Sequence, residues 1–303
     1  MVKSLLFAAT EKGFSVCKRL VEERKESLGA VITFKEVGVQ KDWSEDIVAL
    51  CKDNGVDVFY WSEIKTDLYN EIDTRGIDCA FAISWKYLIS LDINNHLKHN
   101  LIVLHDSLLP RYRGFAPTPT AIINGEDKVG ITALFATDSV DKGDILLQKE
   151  IKVEDHEYIC DIIEKESEVY GQMVVELIDM IEANNVNPIV QNEDEASYSI
   201  WRNLEDCHID WDKPAKDIYN FVRALGNPYL GAYTYWDDNK IIIERASVMD
   251  YDLKFELRDS GKIWSIEDDM PIVICGSGLL KIQTAKYENG DTVIFNRVRV
   301  RFK

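Results

Sequence analysis

Four short apolar runs, separated by stretches with helical spacing, constrain this chain more than any other feature. Residues 5–9, 28–34, 56–60 and 79–84 are strand-like, and the second is rich in branched side chains. Between the first two, residues 11–25 carry Phe14, Cys17, Leu20 and Val21 at helical spacing. Residues 46–52 place Ile47, Leu50 and Cys51 on one helical face, and residues 68–72 form part of another helix. Strand and helix in alternation predict a mostly parallel sheet covered by helices on both faces. A fifth run, residues 101–104, ends at His105. Ligands of open parallel sheets bind outside the carboxyl ends of the strands, so His105 stands where a site is expected. A strand-end histidine can equally hold a loop by hydrogen bonds, and position alone does not separate the two.

The residues after His105 return to it. A Ser-Leu-Leu-Pro turn leads into the basic segment Arg-Tyr-Arg-Gly, then a short helix over 117–124 and a strand over 130–137. The loop 138–144 is acidic, with Asp138, Asp141 and Asp144. A histidine at a strand end with a carboxylate brought back beside it is a proton-transfer arrangement. Other chemistries lack their motifs. The first strand-to-helix turn reads ATEKGF and has no glycine-rich dinucleotide fingerprint, and no phosphate-binding G-x-x-x-x-G-K-[ST] loop occurs. The six cysteines are scattered without a C-x-x-C pair or a histidine at ligand spacing, so no metal site is expected and the thiols read as reduced.

A second domain follows. Residues 157–183 form a long amphipathic helix with Ile159, Ile162, Ile163, Val169, Met173, Leu177 and Ile181 near one stripe. The polar residues 184–197 read as the segment leading out of the first domain, and 215–225 as a last helix. Short strands at 231–235, 240–248, 272–275, 279–285 and 296–302, separated by turns, suggest a small barrel. The expected fold is thus α/β, an open Rossmann-like sheet over residues 1–199, then a helix and an OB-like β-barrel over 200–303. Arg297, Arg299, Arg301 and Lys303 alternate at the terminus, so on a strand they share one face. That stripe could touch phosphate, but a solvated edge strand guarded by its charges is favoured.

The central stretch resembles the folate-dependent formyltransferases. Their pattern of N-x-H-x-S-L-L-P-x-x-R-G followed by D-x-G-D is met by His105, Ser107, Leu108, Leu109, Pro110, Arg113 and Gly114, then by Asp141, Gly143 and Asp144. Residues 130–144 also keep the family's Gly130 and Thr132, and residues 209–236 are similar to the opening of the family's C-terminal barrel. The resemblance implies formyl transfer from 10-formyltetrahydrofolate to a primary amine. His105 would be the base and Asp141 its partner. The backbone of residues 83–88 and 135–141, with Ile83, Ser84, Trp85, Leu88, Phe135, Thr137, Asp138 and Asp141, would hold the folate pterin by hydrogen bonds. Ser107, Arg111, Arg113 and Gly114 would face the substrate side, with each arginine divided between phosphate contact and holding its loop. One position departs from the pattern. The family's asparagine, usually assigned to the formyl oxygen, is Val103 here. Backbone N–H groups around residues 106–107, a water molecule or His105 are candidate substitutes.

The acceptor is read from charge. A net charge of −18 repels nucleic acid and anionic membranes. A nucleotide-linked amino sugar, converted to a formamido sugar for a surface glycan, is therefore the expected substrate. HDSLLPRYRGFAPTPTAIING also looks closer to the sugar-acting branch. Methionyl-tRNA is the second expectation, a carrier-bound amino acid the third, and a catalytically weak folate-binding protein the alternative of another class. The apolar runs are too short for a membrane span, and the first residues read as a strand rather than a signal peptide, so a cytoplasmic protein is expected. A homodimer stays open.

Overall fold

The computed structural model describes residues 1–37 and 41–303. The described chain divides into two compact units. The first comprises Met1–Pro117, Lys128–Lys152 and Ile162–Ile200, and the second Thr118–Asp127, Val153–Asp161 and Trp201–Lys303.

In the first unit the apolar runs become β1 (Ser4–Ala8), β2 (Leu28–Thr33), β3 (Val58–Tyr60), β4 (Cys79–Ile83) and β5 (Leu101–His105). They pair in the parallel order β3-β2-β1-β4-β5. The segment Arg113–Gly114 (β6) lies apart from this sheet. The sheet is completed by β7 (Lys128–Phe135) and β8 (Ile145–Lys152), both joined antiparallel, giving seven strands. Alternation decides which side each residue faces. Leu5, Phe7, Ala30, Ile32, Ala80, Ala82 and Leu101 form one buried face with Ile64 of α3 (Trp61–Ile64) and with Leu68 and Ile72 of α4 (Leu68–Arg75). Val103 packs against the same cluster, and His105 follows two residues on. The alternate residues Leu6, Val31, Phe81, Ile102 and Leu104 are buried on the other face. This is the mostly parallel α/β sheet expected, with an antiparallel edge.

The helices owe their places to single apolar stripes. In α1 (Thr10–Glu23), Val16, Cys17 and Leu20 are buried. In α2 (Ser44–Asp53), Ile47 and Cys51 are buried, and the Cys17 and Cys51 sulfurs lie 3.5 Å apart. The long α6 (Ile159–Glu182) buries Met173, Val174, Leu177 and Ile178 completely. Among the described residues no helix is long and apolar enough to cross a membrane.

The polar segment after α6 is not a free linker. Ile189 forms a bridge with Ile145, and β9 (Tyr198–Ser199) runs parallel to β6. Backbone pairing thus carries 184–197 back across the first unit, where its composition had suggested an exit.

The second unit holds α5 (Pro117–Ile123, from Thr118 onward), α7 (Ala215–Leu225) and an antiparallel sheet. Its strands are β10 (Ala232–Trp236), β11 (Asn239–Val248), β12 (Ile263–Glu267), β13 (Met270–Ile274) and β14 (Leu279–Tyr287). They run in the order β10-β11-β14-β13-β12. Ile218, Val222 and Leu225 of α7 enter the core formed by Ile241, Ile243, Val273, Leu280 and Ile282. The chain terminus closes the sheet. Ile263 N–H donates to the Val300 carbonyl and Phe302 N–H to Gly261, while Tyr235 and Lys303 exchange backbone bonds of 3.1 Å. Both edges are thereby covered, which gives the barrel its closure.

This arrangement corrects the reading of the terminal residues. Residues 296–302 form no continuous strand, and Arg299 has a φ of +65°, so the four basic side chains do not share one strand face. Arg297 pairs with Asp237, Arg301 with Asp259, and Lys303 with Asp238.

Candidate active site

His105 ends β5 opposite Thr132 of β7. Its side chain is 10% exposed. Nε2 lies 3.0 Å from the Tyr112 carbonyl, which can only accept, so this nitrogen donates. Nδ1 lies 3.7 Å from Asp141 Oδ2, an ion-pair distance rather than a hydrogen bond. The ring therefore stands between a carbonyl and a carboxylate.

Asp141 is brought there by its loop. Residues 136–144 leave β7 and fold back, and Phe135 N–H donates to the Asp144 carbonyl at 3.1 Å. Gly143 is packed against that bond, since a Cβ added there would lie 1.7 Å from the Phe135 oxygen. Asp141 has a φ of +56°, a costly conformation for a residue with a side chain. Gly114 N–H donates to its Oδ2 at 2.8 Å. Ser84, Tyr112 and Ala116 also carry positive φ.

The other site residues divide. Ser107 is buried, and its hydroxyl donates to the Arg111 carbonyl at 2.7 Å while its N–H donates to the His105 carbonyl at 2.9 Å. It closes its own turn, and its N–H is spent there rather than offered to a formyl oxygen. Arg111 is exposed and lies over the Tyr112 ring at 5.0 Å. Arg113, in contrast, is fully buried. Its Nε and Nη2 donate to Gln191 Oε1 at 3.1 and 2.8 Å, and its Nη1 and Nη2 to the Glu193 carboxylate at 3.0 and 2.8 Å. Of its two expected roles, this geometry gives it loop-holding, and the substrate-facing expectation is corrected. Arg113 and Lys142 hold the Glu193 carboxyl down to about 2.

Gln191 was missed in the sequence. Its Nε2 donates to the carbonyls of Asp141 at 2.8 Å and Gly143 at 2.7 Å, while its oxygen accepts from Arg113. One buried amide thus ties the segment after His105 to the loop bearing Asp141. Only a residue's partners reveal such a role, and a glutamine in a polar run carries no local signal of it.

The residues expected against a pterin are dispersed. Ile83 is fully buried in β4, and Ser84 begins the loop that follows it. Leu88 is exposed, Asp138 is exposed, and Thr137 donates its hydroxyl to the Ser139 carbonyl. Phe135 lines a cavity of about 180 Å³ with Ile102, Leu146, Leu177 and Ile181. Ile102 belongs to the face opposite His105, so the Phe135 side chain lies on that face, whereas the expected pterin contact is from its backbone. Trp85 lies within an aromatic group, its ring 5.1 Å from Phe7, 5.0 Å from Phe34, 5.8 Å from Trp61 and 6.0 Å from Tyr87. Its indole N–H is buried and has no hydrogen-bond partner among the described residues. Val103 packs into the same hydrophobic cluster as Trp85.

A recessed imidazole faces a carboxylate, and the nearby serine is turned into its own loop, an arrangement that can move a proton. Residues 12–178 match the formyl transferase family, and residues 203–297 match the C-terminal domain of formyl transferases. The chain belongs to the formyltransferase family. A methionyl-tRNA formyltransferase of Alkaliphilus oremlandii is 29% identical over 222 residues, 73% of this chain and 70% of that protein. HypX from Aquifex aeolicus superposes with a TM-score of 0.63 at 18% identity over 97% of this chain, which spans only 46% of HypX. WlaRD, a sugar 3N-formyl transferase, superposes with a TM-score of 0.68 at 17% identity, covering 93% of this chain and 97% of its own. These two likenesses establish the fold.

Proposed function

We propose that the protein transfers the formyl group of 10-formyltetrahydrofolate to the amine of a nucleotide-linked amino sugar, in the cytoplasm, as a step toward a surface glycan. The observation that carries the choice of acceptor is the charge distribution. The chain is acidic, and Arg297, Arg301 and Lys303, the basic residues a tRNA backbone would need, are each paired with an aspartate. WlaRD, whose structure was determined with dTDP and 5-N-formyl-THF, supports the same choice of substrate class.

The unpartnered indole N–H of Trp85, framed by Phe7, Phe34, Trp61 and Tyr87, offers a donor beside aromatic surfaces. In the reaction the amine nitrogen bonds to the formyl carbon, and the carbon–nitrogen bond to the folate breaks. His105 accepts the proton the amine loses and returns it to the departing nitrogen. Asp141 faces the imidazolium between those steps, as the carboxylate does in a Ser-His-Asp triad. Nothing covalent forms with the enzyme.

Methionyl-tRNA is the second reading, favoured by the name of the Alkaliphilus relative. The test is kcat/KM with 10-formyltetrahydrofolate and each of a panel of UDP- and dTDP-linked amino sugars, set beside methionyl-tRNA. At least one sugar nucleotide is expected to exceed methionyl-tRNA by about a hundredfold, a difference of about 2.7 kcal/mol in transition-state binding. Turnover with methionyl-tRNA alone would overturn the sugar reading. Folate binding without turnover on any amine would instead support a folate-binding protein.

A further inference from the structure

A charged cluster lies on the other side of β5 from Asp141. Lys12, in the first turn of α1, is buried, and its Nζ lies 2.7 Å from Asp106 Oδ2 and 2.7 Å from Glu166 Oε2. Glu166 and Tyr170 of α6 are fully buried. The Tyr170 hydroxyl donates to Asp106 Oδ1 and lies 3.3 Å from the Leu104 carbonyl. Lys12 Nζ sits 5.5 Å from the centre of the Tyr170 ring. Thr10, which opens this turn, holds a φ of +62°.

Such a cluster is costly to bury and is kept only when each charge is answered. The Lys12 amine faces the carboxyl groups of both Asp106 and Glu166. Asp106 directly follows His105, and consecutive side chains at a strand end point to opposite faces. His105 looks toward Asp141 and Tyr112, and Asp106 toward α1 and α6. Burial opposes ionisation of Asp106, yet Lys12, the Tyr170 hydroxyl and the nearby His105 together hold its carboxyl below the usual range. Burial pushes the Tyr170 phenol well up, and Asp106, Glu166 and Asp141 push it further, so it stays a donor.

We propose that Lys12, Glu166 and Tyr170 are positioning residues that hold Asp106 as a fixed carboxylate behind His105, giving the imidazolium formed during formyl transfer a second counter-charge opposite Asp141. The assignment rests on His105 being the proton acceptor. It explains why the first turn of α1 carries a buried lysine, and why a helix that reads as simple packing contributes a buried glutamate and tyrosine.

The test is the titration of His105 in the full chain carrying ¹³C-labelled histidine, its signal identified by its loss in His105→Asn. Removing a negative charge disfavours the imidazolium, so the midpoint must fall. Asp106→Asn is expected to lower it by about half a unit or more, and Glu166→Gln by less. The double variant Lys12→Met/Glu166→Gln removes one charge of each sign and is expected to stay within about 0.2 units of the parent. A structural role alone would alter thermal stability without this order of shifts. Midpoints that do not move in Asp106→Asn and Glu166→Gln, in protein of unchanged circular dichroism, would overturn the proposal. If Asp106→Asn does not fold, Glu166→Gln and the double variant decide it. The titration needs no substrate. An inactive parent would therefore count against formyl transfer, while the coupling would still be judged by the midpoints.

Discussion

His105→Asn is expected to abolish measurable formyl transfer while leaving the fold intact. The side chain is nearly enclosed, and both ring nitrogens face protein oxygens, the Tyr112 carbonyl at 3.0 Å and Asp141 at 3.7 Å. An asparagine can retain a hydrogen bond in this space but cannot take up a proton near neutral pH. General base and acid assistance together are worth roughly a hundredfold to ten-thousandfold, and His105 is assigned both steps. Asp141→Asn isolates the charge. The amide oxygen still accepts from Gly114 N–H, so the loop keeps that bond, but the imidazolium loses its counter-ion. A loss of about a hundredfold or more in kcat is expected, with a smaller change in KM. Steady-state kinetics beside a thermal melt provide the check. A near-normal rate in either variant would remove that residue from its assigned role.

Gly143→Ala is expected to be the most damaging small substitution in the first unit. The obstacle is backbone and cannot rotate away. The new methyl would lie 1.7 Å from the Phe135 carbonyl oxygen and 2.8 Å from its carbon. The bond from Phe135 N–H to Asp144 and the two bonds from Gln191 would have to shift together. Overpacking usually costs about 1–3 kcal/mol, and a clash with main chain belongs at or above the upper end. In a unit of this size about 3 kcal/mol lowers the melting temperature by roughly 6–12 °C. Because Asp141 lies two residues away on the displaced loop, kcat should fall nearly as far as in Asp141→Asn. A melting temperature and rate within error of the parent would show that the loop relaxes freely.

What the sequence revealed here was local. The run ending at His105, the Ser-Leu-Leu-Pro turn and the Asp-Lys-Gly-Asp loop carry periodicity and turn chemistry that a short window exposes, and β5 and β8 form where those patterns place them. Gln191, Lys12, Glu166 and Tyr170 were not legible in that way. Their partners lie from 48 to 154 residues away, and such pairings leave no mark on local spacing. Arg113 shows the limit from the other side. Its residue type suggested phosphate, but burial against Gln191 and Glu193 assigns it to the loop. The terminal basic residues looked like a stripe because alternation assumes a strand, and Arg299 breaks that assumption with a positive φ. Strand β12 was also overlooked, since IWSIE mixes apolar and polar residues and shows no sustained apolar run.

The central claim is that His105 and Asp141 serve formyl transfer from a folate to an amino sugar. The most direct test is a single-turnover reaction with 10-formyltetrahydrofolate labelled with ¹³C in its formyl carbon, mixed with the panel of nucleotide-linked amino sugars and followed by mass spectrometry and NMR. The account predicts the label in the formamide of one sugar, none bound to protein, and no product with His105→Asn. Label that stayed on the folate, or left it only as formate with every sugar tested, would contradict it.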